Sequence, residues 1–124
     1  MKAAHWLVLL GACILFLGGL VHLLGYPHIF PVLVQAGIEA RLAGALKTLW
    51  ALFTVDLLVL SPAFVWLSRQ ANGRSLLLWL ALIPVTAAVL MYCWIGPFIG
   101  SYLISVGAGL LVVGAWLLPG SAAS

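Results

Sequence analysis

Residues 69–74 read RQANGR, and they separate two apolar runs, residues 43–67 and 75–95. Each run is long enough to cross the hydrocarbon layer, which takes about 20 mainly apolar residues in a helix. The turn between them holds Arg69 and Arg74, and arginines beside span ends collect on the cytoplasmic side. This hairpin decides the fold, and the rest of the chain is read outward from it.

On either side lie two further runs, residues 5–26 and 97–118. Backbone groups in hydrocarbon must pair within the segment, and the alternation is too weak for barrel strands, so all four runs are read as helices. The 124 residues are 66% hydrophobic and 6% charged, against about 25% charged in soluble domains. Such a chain cannot build a water-exposed surface, whereas lipid serves as its outer solvent. The expected fold is all-α, a single four-helix bundle integral to the membrane.

Orientation follows from Lys2, Arg69 and Arg74, which place both termini in the cytoplasm, with the inner membrane of a bacterium as the expected location. Trp and Tyr favour the interfaces. Trp6, Trp66, Trp79 and Trp116 fall near the inner one, and Tyr26, Trp50, Tyr92, Trp94 and Tyr102 near the outer one. Arg41 and Lys47 lie on the outside, against the trend. The run at residues 5–26 is too long for the h-region of a signal peptide and is expected to be kept as a span.

The outer connection, PHIFPVLVQAGIEARL, opens on Pro27 and Pro31 and then mixes apolar residues with Gln35, Glu39 and Arg41. A short helix lying in the interface is expected there. The alternative is a second span that starts early, near Ile38. The connection around Gly96 and Pro97 is only a turn, so the third and fourth helices should be antiparallel neighbours.

Glycines recur every seven residues at Gly11, Gly18 and Gly25 in the first span and at Gly100, Gly107 and Gly114 in the fourth. Residues seven apart share a helix face, and small residues let helices approach closely in lipid. These faces are expected to hold the bundle together. Ser101, Ser105 and Gly109 form a second small-residue row on the fourth span, and the alternative is that one of the two rows there docks another protein. Pro84 and Thr86 would permit a kink in the third span.

Asp56 lies near the middle of the second span, in LFTVDLLVL, where a carboxylate costs about 2.5–3.5 kcal/mol on insertion scales. The expected compensation is a hydrogen-bonded contact within the protein or with a partner. With Thr54 it forms a candidate intramembrane polar or proton site. His22 shares a face with Gly18 and Gly25 and should point into the bundle, partnered at the level of Lys47 and Thr48. Gly18, one turn before it, leaves room for a flat macrocycle, which makes His22 a candidate axial ligand for heme or a chlorophyll-type pigment.

Other chemistry finds no support. Five basic residues against two acids are too sparse for a nucleic-acid footprint. Cys13 and Cys93 stand in apolar runs without a CxxC or Cys/His cluster and are read as small buried side chains. There is no nucleophile set, metal-ligand spacing or phosphate loop, so no catalytic residue is assigned and no enzyme is expected. In size and span number the chain resembles the small multidrug resistance transporters, but that family depends on a membrane-embedded Glu in its first helix. The first span here has no acid, and Asp56, in a different helix, cannot inherit that role.

The leading expectation is therefore an accessory or interaction subunit, joined to other membrane subunits or to itself. A small proton- or ion-coupled transporter using Asp56, and a heme- or pigment-binding subunit using His22, are the alternatives.

Overall fold

The computed structural model describes residues 2–119. Four α-helices follow one another: α1 (Lys2–Gln35), α2 (Ala40–Ser68), α3 (Gly73–Trp94) and α4 (Ile99–Leu117). Each is long and apolar enough to cross a membrane, and no strand occurs among the described residues.

The separate interfacial helix expected between the first two spans is not formed. Instead α1 continues through Pro27 and Pro31 to Gln35. Each proline removes one N–H from the helical ladder, but the two are four residues apart, so both gaps fall on one face, where both prolines are exposed. At 1.5 Å per residue its 34 residues run to about 50 Å, well beyond a hydrocarbon layer of about 30 Å. The helix ends at Gly37, whose φ of +75° is open to glycine at little cost. There the N–H groups of Gly37 and Ile38 cap the carbonyls of Val34 and Leu33. α2 then starts at Ala40, close to the early start.

The chain runs up and down, with α1 packed between α2 and α4, and α3 packed on α4. The seam between α2 and α3 is thin although only residues 69–72 join them. The third and fourth helices are neighbours, as the short turn requires. Gly96 makes that turn with a φ of +92°, its N–H returning to the carbonyl of Met91.

The α1–α4 contact is close, and its glycines explain it. A Cβ placed on Gly11 would stand 2.7 Å from the Gly107 carbonyl oxygen, and one on Gly114 would meet the Val8 side chain at 2.8 Å. Around them Val8 and the Ala4 carbonyl of α1 lie against Gly114 of α4, and Leu15 lies against Gly107, all buried. Small residues at a spacing of three and four let these backbones meet, so dispersion between the helices exceeds what lipid tails offer.

Polar groups inside the bundle are satisfied locally. The hydroxyls of Thr54, Ser61 and Ser105 donate to the carbonyls of Trp50, Leu57 and Ser101, one turn earlier, at 2.8, 2.6 and 2.7 Å. Outside, Trp6, Trp66, Trp79, Trp94 and Trp116 stand exposed on the helix surfaces. Cys13 and Cys93 lie there too, exposed on α1 and α3 rather than buried as expected, and neither forms a disulfide.

Candidate functional site

Trp50 is the tryptophan that departs from this surface pattern. The sequence groups it with the interfacial aromatics, but it turns inward and lies half-buried against α1. Its indole N–H donates to the backbone carbonyl of His22 at 2.9 Å, and its ring stacks on the imidazole with centroids 4.0 Å apart. Phe53 meets the same imidazole edge-on at 5.2 Å. His22 is therefore partnered by the turn containing Trp50, Phe53 and Thr54, just beyond the level of Lys47 and Thr48.

Thr54 completes the arrangement. Its Oγ1 lies 3.5 Å from His22 Nδ1, at the outer limit of a hydrogen bond. Because its own proton goes to the Trp50 carbonyl, Thr54 offers Nδ1 a lone pair. That favours the proton on Nδ1 and leaves Nε2 as an acceptor. Nε2 has no hydrogen-bond partner among the described residues.

His22 lines a cleft of about 300 Å³ bounded by α1, α2, the end of α3 and the start of α4. Of the side chains around it, only His22 and Trp50 carry nitrogen or oxygen, and the Trp50 N–H is already engaged. Gly18 opens this space, since a Cβ there would find no protein atom within 4 Å. Gly25, by contrast, is filled by the Trp50 ring, 3.1 Å from such a Cβ. Val21 and Ile99 on the rim are exposed, so the cleft is open at the bundle surface.

The seven-residue glycine rows thus divide. Gly11, Gly107 and Gly114 hold α1 to α4; Gly25 receives Trp50; Gly18 faces the cleft; and Gly100 faces the ring of Phe98, two residues before it. Gly19, which belongs to neither row, is buried against Leu57 and Leu58 of α2. The residue order marks it only as a small residue four positions after Leu15, on the same helix face. In the second small-residue row Ser101 is fully buried and caps α4, accepting the Phe98 N–H at 3.0 Å, while Gly109 is exposed.

Asp56 is not part of the His22 arrangement. Thr54 points inward and is buried, whereas Asp56, two residues on and so about 200° around the helix, is exposed on the outer face of α2. The candidate pairing of Thr54 with Asp56 is therefore not formed: Thr54 meets His22, and Asp56 faces away from it. Asp56 also has no hydrogen-bond or ionic partner among the described residues. No group of three His, Cys, Asp or Glu side chains that could hold a metal occurs among them either.

The remaining charges sit toward the helix ends. Lys47 Nζ lies over the rings of Tyr26 and Phe30, at 4.9 and 5.3 Å, and ties the extension of α1 to α2. At the opposite end Arg69 and Arg74 line a small cavity with His5 and Ser68, and Arg74 stacks over Trp116 at 5.4 Å. His28 is exposed on the α1 extension, as are Glu39 and Arg41 beyond it. No protein-family model, curated protein or solved structure matches this chain.

Proposed function

We propose that this protein is a membrane subunit that works through helix association, as a homo-oligomer joined along the outer face of α2. Exposed, unpartnered Asp56 carries the reading. A carboxyl at mid-span costs a few kcal/mol unless it is paired, and none of the described residues pairs it.

The face around it suits a second copy. Leu49, Leu52, Asp56, Val59 and Ala63 follow the alternating three and four spacing of a helix seam, with Leu49, Leu52 and Val59 at 61, 56 and 60% exposure. Copies inserted in one orientation carry each residue at the same depth, so a two-fold axis along the membrane normal brings Asp56 beside its counterpart. One carboxylic O–H then donates to the other carboxyl, and a single polar residue on an apolar seam sets register. Both termini lie in the cytoplasm of a bacterial cell in this reading, supported by Arg69 and Arg74 at one end of the bundle.

Native mass measurement in mild detergent and disulfide trapping through Val59→Cys, in a background with Cys13 and Cys93 changed to Ser, test the proposal. The expected result is a dimer that cross-links at position 59. Asp56→Leu should weaken it several-fold, in keeping with about 0.6–2 kcal/mol for interhelical hydrogen bonds in lipid, and Asp56→Asn should retain it. A wild-type monomer, or a chain held only by a different membrane protein, overturns self-association.

A further inference from the structure

We propose that the cleft beside His22 binds a lipid-soluble aromatic alcohol, a phenol or quinol-type ring on an apolar tail, whose hydroxyl donates to His22 Nε2. This goes beyond association through α2, whose seam lies on the far side of that helix. Four observations carry it.

The cleft is apolar and open at the bundle surface, so its occupant comes from the lipid phase. It presents one unengaged polar group, an imidazole whose Nδ1 faces a lone pair and whose Nε2 has no partner among the described residues. An acceptor in apolar surroundings selects a ligand with a donor, because a hydrogen bond left unmade there is costly. The imidazole is also held from two sides by Trp50 and Phe53, so it is oriented before any ligand arrives. Gly18 keeps the adjoining space empty of protein atoms, which suits a flat ring.

Volume chooses among flat ligands. About 300 Å³ stands at the lower end of the range for small-molecule sites, roughly 300–1,000 Å³. One or two fused rings fit such a space, while a metalloporphyrin would have to stand largely outside it. The ring enters beside Gly18, its hydroxyl meets Nε2, and its tail leaves past Val21 and Ile99.

The full chain in phosphatidylcholine nanodiscs, titrated calorimetrically with ubiquinol-1 kept reduced and with its bis-methyl ether, provides the test, with empty nanodiscs subtracted. Saturable binding of one quinol per chain is expected, with the ether about tenfold weaker, as loss of one hydrogen bond from a desolvated acceptor predicts. His22→Phe keeps an aromatic ring for Trp50 to stack on and should bind quinol and ether alike. Gly18→Leu, which adds its Cβ where no protein atom lies within 4 Å, should abolish saturable binding while leaving the unfolding midpoint in place. Equal affinity for quinol and ether in the wild type, or unchanged binding in Gly18→Leu, overturns the proposal. So does a Soret band on adding heme that disappears in His22→Phe, which would assign the cleft to a metalloporphyrin. Should His22→Phe fail to fold, the ether comparison and Gly18→Leu still decide.

Discussion

The Trp50 indole holds His22 twice, by a 2.9 Å hydrogen bond to its backbone carbonyl and by a stacked ring 4.0 Å from its imidazole. A carbonyl of α1 thus accepts from a side chain 28 residues away, and the contact joins the two longest helices. A neutral hydrogen bond contributes about 0.5–1.5 kcal/mol and an aromatic pair about as much. Trp50→Phe, which keeps a ring but loses the N–H, should destabilise the protein by about 1 kcal/mol, and Trp50→Leu by about 2 kcal/mol. Reversible unfolding in mixed detergent micelles measures both, and a neutral Trp50→Leu would remove this contact from the account of stability.

Two glycines in the same row should respond in opposite ways. Gly11→Ala forces a methyl against the Gly107 carbonyl, so α1 and α4 must separate or shift, at a cost of about 1–3 kcal/mol. Gly18→Ala meets no protein atom and replaces glycine in a helix, so it should be neutral or stabilising by up to about 1 kcal/mol. Unfolding midpoints of the two variants compared side by side check this, and equal loss in both would contradict the assignment of Gly11 to the helix contact.

Lys47 over Tyr26 and Phe30 pins the part of α1 that extends toward Gln35. Lys47→Met keeps the apolar stem and removes the charge, with about 0.5–1 kcal/mol lost from the cation–π contacts. Amide exchange over residues 27–35 should quicken by roughly two- to fivefold, with exchange in α4 unchanged. Uniform change along the chain would show that Lys47 acts on global stability instead.

The orientation proposed for the bundle can be read by labelling. With Cys13 and Cys93 changed to Ser, Gln70→Cys in the α2–α3 turn should react with a membrane-impermeant maleimide only after inverted vesicles are used or the membrane is opened. Ala36→Cys in the α1–α2 turn, in the same background, should react from outside in intact cells. The reverse pattern would place both termini outside and withdraw the role given to Arg69 and Arg74.

Much of the bundle is legible in residue order. Four apolar runs of spanning length dictate four helices, because unpaired backbone groups are not tolerated in hydrocarbon. Gly107 and Gly114, seven residues apart on α4, and Gly11 on α1 mark the α1–α4 contact, since close approach needs small residues whatever the surrounding fold. His22 likewise announces itself as a polar residue in an apolar span.

Other features depend on what is opposite. Pro27 and Pro31 resist helix in general, yet both lie on an open face of α1 whose other side is tied to α2 through Lys47, so the helix continues. Trp50 has the residue type of an interfacial anchor, and only the proximity of α1 turns it inward onto His22. The side of α2 that meets α1 decides the rest: Thr54 is enclosed, and Asp56, two positions later, is left facing outward. Residue order alone established that this chain carries a carboxyl and an imidazole in apolar spans. Tertiary packing put them on separate surfaces, because a helix turns about 100° per residue and only one of its faces can meet its neighbour.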